Sequence, residues 1–185
     1  MGVDRLDLNL PTMNTATRRL FLALWPAAAA LEQLNVHITA WHWPAEATLY
    51  QPSDWHLTLY FIGLVPLDAI DKTANGLKVP FLPFELELNQ ASLWPHGLAV
   101  LTADSHAHGL SVLHTRLTQA LSALNLPVEA RPFLPHLTLA RKAQGALAPT
   151  SLNPVRWLVE DYALVESTGL LQHRYRIIRR YAGLN

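Results

Sequence analysis

The sequence contains one tetrapeptide twice, as His56-Leu57-Thr58-Leu59 and again as His136-Leu137-Thr138-Leu139. Each copy alternates polar residues with leucines, which predicts a strand that projects His and Thr to one face and both leucines to the other. A strand needs no histidine to hold its place, so the repeat indicates a functional surface. Two imidazoles and two hydroxyls together are the groups that an acid/base site for phosphoester cleavage would use.

The segments that precede the two tetrapeptides follow the same order. A predicted strand at residues 19–25, an amphipathic helix ending near Trp41 and a Pro-containing loop lead to the first copy. A predicted strand at 98–101, a second amphipathic helix and another Pro-containing loop lead to the second copy. The duplicated strand-helix-strand unit predicts an α+β fold of two lobes related by a pseudo-two-fold axis.

The remaining elements complete this two-lobed arrangement. A third helix is predicted around residues 67–77, a half-exposed strand at 84–88, and closing strands at 156–166 and 174–181. Residues 1–16 carry no usable motif and are predicted to be a poorly ordered tail. No low-complexity linker separates the halves, so residues 17–185 are expected to form a single bilobal domain, and a monomer is the simplest expectation.

Composition excludes several classes of protein. The 185 residues are 50% hydrophobic and 15% charged with a formal net charge of zero, which argues against a globally basic surface for long nucleic acids. Residues 116–185 nevertheless carry nine Lys/Arg against four Asp/Glu, so an anionic ligand is expected to favour the C-terminal half. The chain has no cysteine, which excludes thiolate chemistry and suits a reducing, cytoplasmic location.

Two signals at the N-terminus and in the middle of the chain have ordinary explanations. Arg18-Arg19 followed by a short apolar run resembles an export signal, but only six apolar residues precede Pro26, and no apolar run is long enough to span a membrane. His106-Ala107-His108, with Asp104 and His114, resembles a metal cluster. It lies where a helix begins and lacks a carboxylate-rich partner motif, so neither a metal nor a cofactor is predicted.

The two motifs resemble the paired HxTx signatures of the 2H phosphoesterases, in the branch called RNA 2′,3′-cyclic phosphodiesterase and formerly described as 2′-5′ RNA ligase. The resemblance extends from about Arg18 to the C-terminus and includes the trailing Arg141. It implies antiparallel sheets lining a central cleft with the helices outside. It also implies metal-independent hydrolysis of a 2′,3′-cyclic phosphate, on RNA 3′ ends or small cyclic nucleotides, to a 2′-phosphate.

The same resemblance assigns roles to individual residues. His56 would be the general acid and His136 the general base, while the residues that hold the phosphate would be Thr58, Thr138 and Arg141. The residues alone leave the two histidine roles open. Simple alternation would put Arg141 on the opposite face from His136, so its use requires the strand to twist, bulge or end at Ala140, or the long side chain to curl round the edge.

Several aromatic residues are further candidates for contact with the ligand. Tyr60 shares a face with His56 and Thr58 by alternation, although a role as an aromatic floor is equally consistent. Trp55 and Phe133 are candidate base contacts that packing at the cleft explains as well. Arg174, Arg176 and Arg180 alternate in a predicted strand and mark either a solvated face or a track for an RNA backbone.

Three functional alternatives remain open at this point. A related enzyme could open another cyclic phosphodiester, or act on a 2′-5′ linkage, including the reverse joining reaction. A non-catalytic module could bind nucleotides or RNA ends through the same cleft. Binding alone would not require two titrating imidazoles, so the paired motifs favour an enzyme.

Overall fold

A computed structural model describes residues 16–104, 107–151 and 153–184 of the chain. Nine strands and three α-helices are found in these residues, joined by loops and short 3-10 turns. In chain order they are β1 (Thr17–Leu24), α1 (Ala28–Ala40), β2 (Thr48–Leu49), β3 (Leu57–Pro66), α2 (Ile70–Gly76), β4 (Phe84–Trp94), β5 (Leu98–Ala103), α3 (His108–Ala123), β6 (His136–Arg141), β7 (Val155–Val159), β8 (Asp161–Ser167) and β9 (Tyr175–Ala182). The α+β class predicted from the sequence is confirmed.

The strands form one curved antiparallel sheet in the order β7-β4-β5-β6-β3-β1-β8-β9, with β2 paired to β6. Its two halves are joined at the centre, where the only residues paired between β3 and β6 are Leu57 and Leu137. Reading outward from this junction, β3, β1, β8 and β9 of one half correspond to β6, β5, β4 and β7 of the other. The two tetrapeptides therefore lie on adjacent central strands, and the order of the sheet has the pseudo-symmetry expected from the duplication.

Strands β7 and β8 differ from the sequence prediction of one strand at 156–166. The chain leaves β7 at Val159, passes the exposed Glu160 and begins β8 at Asp161. Because β7 pairs with β4 and β8 pairs with β1, this single step carries the chain between the two outer regions of the sheet. Hydrophobic periodicity is nearly continuous through the step, so it could not reveal the change of partner.

The helices cover the convex side of the sheet, and α1 and α3 each contact a strand of the half opposite to the strand that they follow. Helix α1 follows β1 but binds β7, where the Gln33 side chain accepts a 2.9 Å hydrogen bond from the Arg156 backbone N–H. Helix α3 follows β5 but contacts β3, where Thr118 hydrogen-bonds to Tyr60. The buried stripe of α3, at Leu110, Leu113, Leu117 and Leu121, packs into the main core. The contacts of α1 with β7 and of α3 with β3 hold the two halves of the sheet in position relative to each other.

Other sequence-based expectations concern the chain ends and the membrane. The tail expected at residues 1–16 lies outside the described residues apart from Ala16, whose carbonyl accepts a 3.0 Å hydrogen bond from the Leu67 N–H. Within the described part of the chain, none of the helices has the length and hydropathy that a membrane span requires.

Candidate active site

The two motif histidines occupy equivalent places and are held in the same way. His56 immediately precedes β3 and His136 begins β6. The Nδ1 of each ring lies 2.7 Å from a backbone carbonyl two residues earlier in the chain, that of Asp54 for His56 and that of Leu134 for His136. With the proton on Nδ1 donated to the carbonyl, Nε2 of each ring is left free for chemistry.

A β-bulge follows the threonine in both motifs. On β3, Thr58 pairs with Ala23 and Tyr60 with Leu22, so Leu59 is the extra residue. On β6, Thr138 pairs with Val100 and Ala140 with Ala99, so Leu139 is the extra residue. Each bulge shifts the alternation by one residue, and the side chain three positions after the threonine therefore returns to the concave, motif face.

The bulge at Leu139 explains how Arg141 reaches the site. Simple alternation placed Arg141 opposite His136, but after the bulge it lies on the same face and lines the same cavity as His136 and Thr138. The equivalent residue after the Leu59 bulge is Phe61, which also lines the cavity and is 67% exposed. The pseudo-symmetric site thus has a guanidinium in one half and a phenyl ring in the other.

The bulge at Leu59 and the packing around it bear on the three aromatic candidates. Tyr60 is rotated to the convex face, where it is buried and its hydroxyl lies 3.1 Å from His114 Nδ1. Trp55 is also buried, at 1% exposure, and cannot stack on a ligand. Phe133 is half-buried, stacks on His114 at 4.1 Å between ring centroids, and lines a cavity beside His136. Trp55 is therefore a core residue, and Tyr60 is a buried residue whose hydroxyl faces α3 while its ring borders the same cavity as Phe133.

The central cavity has a volume of about 480 Å³. Its lining includes all five residues expected from the two motifs and from the trailing arginine, namely His56, Thr58, His136, Thr138 and Arg141. Further residues from β1, the loop before the first motif and the β8–β9 hairpin complete the wall, among them Arg19, Phe21, Tyr50, Asp54, Ser167 and Tyr175.

Tyr50 organises the cationic side of this cavity. Its backbone N–H donates a 2.8 Å hydrogen bond to the carbonyl of the bulged Leu139. Its ring lies 5.4 Å from the Arg141 guanidinium and 5.3 Å from that of Arg174, which are cation–π distances. Arg174 also forms an ion pair with the Asp54 carboxylate at 3.8 Å, whereas no carboxylate pairs with Arg141 among the described residues. The Arg141 charge is therefore available to an anion.

The two imidazoles differ sharply in their surroundings. Three aromatic rings enclose His56: Trp25 stacks at 4.8 Å between centroids, Tyr175 meets it edge-on at 4.8 Å and Phe21 lies at 5.2 Å. His136 contacts one ring, that of Trp94, at 4.5 Å. An enclosed imidazole and an open one can adopt different protonation states in a single site.

Burial lowers the pKa of His56 from 6.5 to about 4. Desolvation by the surrounding rings is the main cause, and the positive fields of His136 and Arg141 lower the pKa further. The hydrogen bond to the Asp54 carbonyl acts in the opposite direction because it favours the protonated ring. In the ligand-free site, His56 is therefore neutral at pH 7.

The suspected metal cluster does not assemble in the described residues. His106 lies outside them, His108 is exposed at the start of α3, and His114 stacks between Tyr60 and Phe133 with its pKa lowered by burial. No group of three or more His, Asp or Glu side chains in the described ranges is arranged to hold a metal ion.

The C-terminal arginines do not form one face. A register shift between Arg176 and Arg180 separates them: Arg176 pairs with Glu166 on the convex side, and Arg180 lies opposite Ala163 on the concave side, where it binds Asp161 at 2.9 Å. Arg174 precedes β9 and lies over the Tyr50 ring. The expected common face of Arg174, Arg176 and Arg180 is therefore wrong, because a bulge separates Arg176 from Arg180 and because Arg174 lies before the strand begins.

Comparisons with known proteins agree with this architecture. A model of the 2′-5′ RNA ligase superfamily matches residues 22–170. The RNA 2′,3′-cyclic phosphodiesterase of Escherichia coli (strain K12) is 31% identical over 172 residues, covering 89% of this chain and 96% of the relative. The RNA 2′,3′-cyclic phosphodiesterase of Thermus thermophilus is 34% identical over 128 residues, covering 63% and 65%. The crystal structure of E. coli LigT complexed with 3′-AMP matches with a TM-score of 0.75 at 24% identity, covering 92% of this chain and all of that one. The chain belongs to the 2′-5′ RNA ligase superfamily.

Sequence reasoning missed the aromatic cage and the Tyr50 platform. Trp25 carried a usable signal, because it shares the alternation of Phe21 and Ala23 on the strand that pairs with the first motif. Tyr175 and Tyr50 reach the site through pairing of distant segments, for which local periodicity has no signal.

Proposed function

We propose that this protein hydrolyses 2′,3′-cyclic phosphates at RNA 3′ ends, or on small nucleosides, to 2′-phosphates by metal-independent acid/base catalysis. The observation that carries the proposal is the pair of equivalent imidazoles, each fixed through Nδ1 to a backbone carbonyl and each lining one cavity with a threonine. The names of the E. coli and T. thermophilus relatives support this choice of substrate.

The phosphate would lie between the two central strands. Thr58 and Thr138 present one hydroxyl from each motif, and these can donate hydrogen bonds to the two non-bridging oxygens. Arg141 supplies a charge-assisted contact to the same oxygens, and its charge stabilises the additional negative charge of the transition state. A phosphodiester held in this way has its 3′ oxygen on one side and an attacking water on the other.

His136 takes a proton from water at Nε2, and the water oxygen forms a bond to phosphorus. The bond from phosphorus to the 3′ oxygen breaks, and His56 gives that oxygen a proton from its Nε2. The products are a 2′-phosphate and a free 3′ hydroxyl. One imidazole ends protonated and the other neutral, so a single proton exchange with solvent restores the starting state.

His56 must become protonated for this role, although it is neutral in the free site. A bound phosphodiester anion would favour the protonated ring, because its negative charge lies beside the imidazole. The same charge offsets the field of Arg141, which lowers the pKa of His56 in the free site. Substrate binding would thus raise the His56 pKa and prepare the acid. The opposite assignment, with neutral His56 as the base and His136 as the acid, is the alternative mechanism.

The wider assignments are also proposals. Residues 17–185 would act as one bilobal unit because both motifs contribute to one cavity. A monomer is the simplest expectation because both histidines lie in one chain. The cysteine-free composition supports a cytoplasmic location.

Alanine substitution of each histidine tests the proposal. His56→Ala and His136→Ala should each lower turnover of an RNA ending in 2′,3′-cyclic phosphate by about two to four orders of magnitude, whereas His108→Ala, at an exposed site, should not. Either motif variant retaining turnover within tenfold of the parent would contradict the mechanism. If the parent shows no turnover and the motif variants still bind the RNA, the protein is a binding module.

A further inference from the structure

A groove leads from the catalytic cavity into the gap between β3 and the loop that precedes His136, where Tyr60 borders it, and then along β4 and β5. The next cavity, of about 440 Å³, shares Thr58, Phe61 and His136 with the first. A third, of about 430 Å³, shares Trp94 and Leu134 with the second. The three cavities therefore form a continuous path away from the phosphate position.

The second cavity offers aromatic surfaces. Phe61 stands exposed between it and the catalytic cavity, while Trp94 and Phe133 are half-buried in its wall. Its two charged residues, Glu129 and Arg131, are paired with each other. Such a surface suits the faces of nucleobases, which stack on aromatic rings without regard to sequence.

The third cavity is uncharged and offers hydrogen-bonding groups. Gln90, Ser92 and Thr102 lie on β4 and β5, and Thr102 is paired in register with His136. Among the described residues, the Gln90 amide and the Ser92 hydroxyl have no hydrogen-bond partner. Free neutral donors and acceptors beside a tryptophan match base edges and ribose hydroxyls better than phosphates.

We infer that this groove holds the nucleosides upstream of the cyclic phosphate, with Trp94 as the stacking platform between the terminal nucleoside and the preceding one. The inference rests on the proposed function and makes its substrate an RNA 3′ end of at least two nucleotides. The opposite half offers no equivalent path, because its concave face is closed by Phe21, Ala163 and Val165 under Trp25 and Tyr175.

The test compares two substrates in each variant: a 2′,3′-cyclic mononucleotide and a tetraribonucleotide with the same terminal base and a 2′,3′-cyclic phosphate. The parent should have a higher kcat/KM for the tetranucleotide. Trp94→Ala should reduce the ratio of the two kcat/KM values by about tenfold, and Trp94→Phe should restore part of it. Gln90→Ala should reduce the ratio severalfold, whereas Gln172→Ala, on the exposed β8–β9 hairpin, should leave it unchanged.

The use of a ratio separates Trp94 stacking from its contact with His136, which affects both substrates. Equilibrium binding of a 5′-labelled tetraribonucleotide 3′-phosphate, compared with 3′-AMP, separates the two proposals. If the tetranucleotide binds more tightly than 3′-AMP in a way that depends on Trp94, but is not turned over, the groove inference stands and the proposed function is wrong. Turnover with a ratio that no groove variant changes would overturn the groove and leave the function intact.

Salt dependence distinguishes the groove from a track over the arginines. Because the groove lining is uncharged or internally paired, the tetranucleotide's advantage over 3′-AMP should change little between about 50 and 200 mM salt, since the number of phosphate contacts sets the salt dependence of binding. A steep loss of the advantage, together with sensitivity to Arg176→Gln, would place the strand on β9 and overturn the inference.

Discussion

Enclosure of His56 by aromatic rings predicts a specific dependence of stability on pH. The pKa of His56 is about 4 in the folded protein against 6.5 for an unperturbed imidazole. Because the folded-state value is the lower one, this histidine favours the folded state fully above pH 6.5, and that contribution is lost as the pH falls towards 4. At pH 5 the unfolded chain binds a proton here and the folded chain does not, which lowers the free energy of unfolding by about 2 kcal/mol relative to pH 7.

The matched comparison is His56→Asn, whose side-chain amide retains a donor for the Asp54 carbonyl but does not titrate. Urea unfolding followed by tryptophan fluorescence at pH 7 and pH 5 gives the free energy of unfolding of each protein. The parent should lose about 2 kcal/mol more than the variant, since the two proteins differ only at residue 56. Equal losses in the two proteins would refute the enclosed, neutral imidazole.

The same histidine provides a direct test of its proposed role. Its ring resonances in an NMR titration should give a pKa well below 6.5 in the free protein, and inorganic phosphate at saturating concentration should raise that pKa. A pKa that phosphate leaves unchanged would mean that an anion in the cavity cannot prepare His56 as the acid, and the reversed assignment would replace ours.

Three further predictions concern the cation, the buried tyrosine and metals. Arg141→Gln should lower kcat/KM by about 10- to 100-fold in steady-state assays, because it removes the positive charge that the Leu139 bulge turns towards the cavity. A loss below about threefold would place Arg141 outside the phosphate site. Tyr60→Phe should lower the free energy of unfolding by about 1 to 2 kcal/mol with kcat unchanged, because its hydroxyl binds His114 and Thr118 and not the ligand; loss of activity with full stability would contradict the convex position. Dialysis against EDTA should leave turnover unchanged, whereas a loss reversed by a divalent cation would require a metal.

The class of fold and the core of the site could be predicted because they depend on local patterns. Alternation within each tetrapeptide correctly placed His56 with Thr58 and His136 with Thr138, and the repeat of strand, helix and strand predicted the pseudo-symmetric order of the sheet. These patterns need no knowledge of the strand's partner.

The bulges could not be predicted, and they decide the finer assignments. An extra residue at Leu59 turns Tyr60 to the convex face, and the equivalent residue at Leu139 brings Arg141 to the concave one. Within each strand, the only sign of the bulge is that two consecutive residues are buried. A bulge is defined by the pairing of two strands, so the sequence of one strand does not reveal it. The cage around His56 likewise depends on Trp25 and Tyr175, which pairing of distant strands brings together.

The most direct test of the account is product analysis. Purified protein is incubated in EDTA with an oligoribonucleotide ending in 2′,3′-cyclic phosphate, and the terminal phosphate of the product is located by chromatography against 2′- and 3′-phosphate standards. We expect a 2′-phosphate, formed by the parent and by His108→Ala but not by His56→Ala or His136→Ala. A 3′-phosphate, or an unchanged substrate that remains bound, would contradict it.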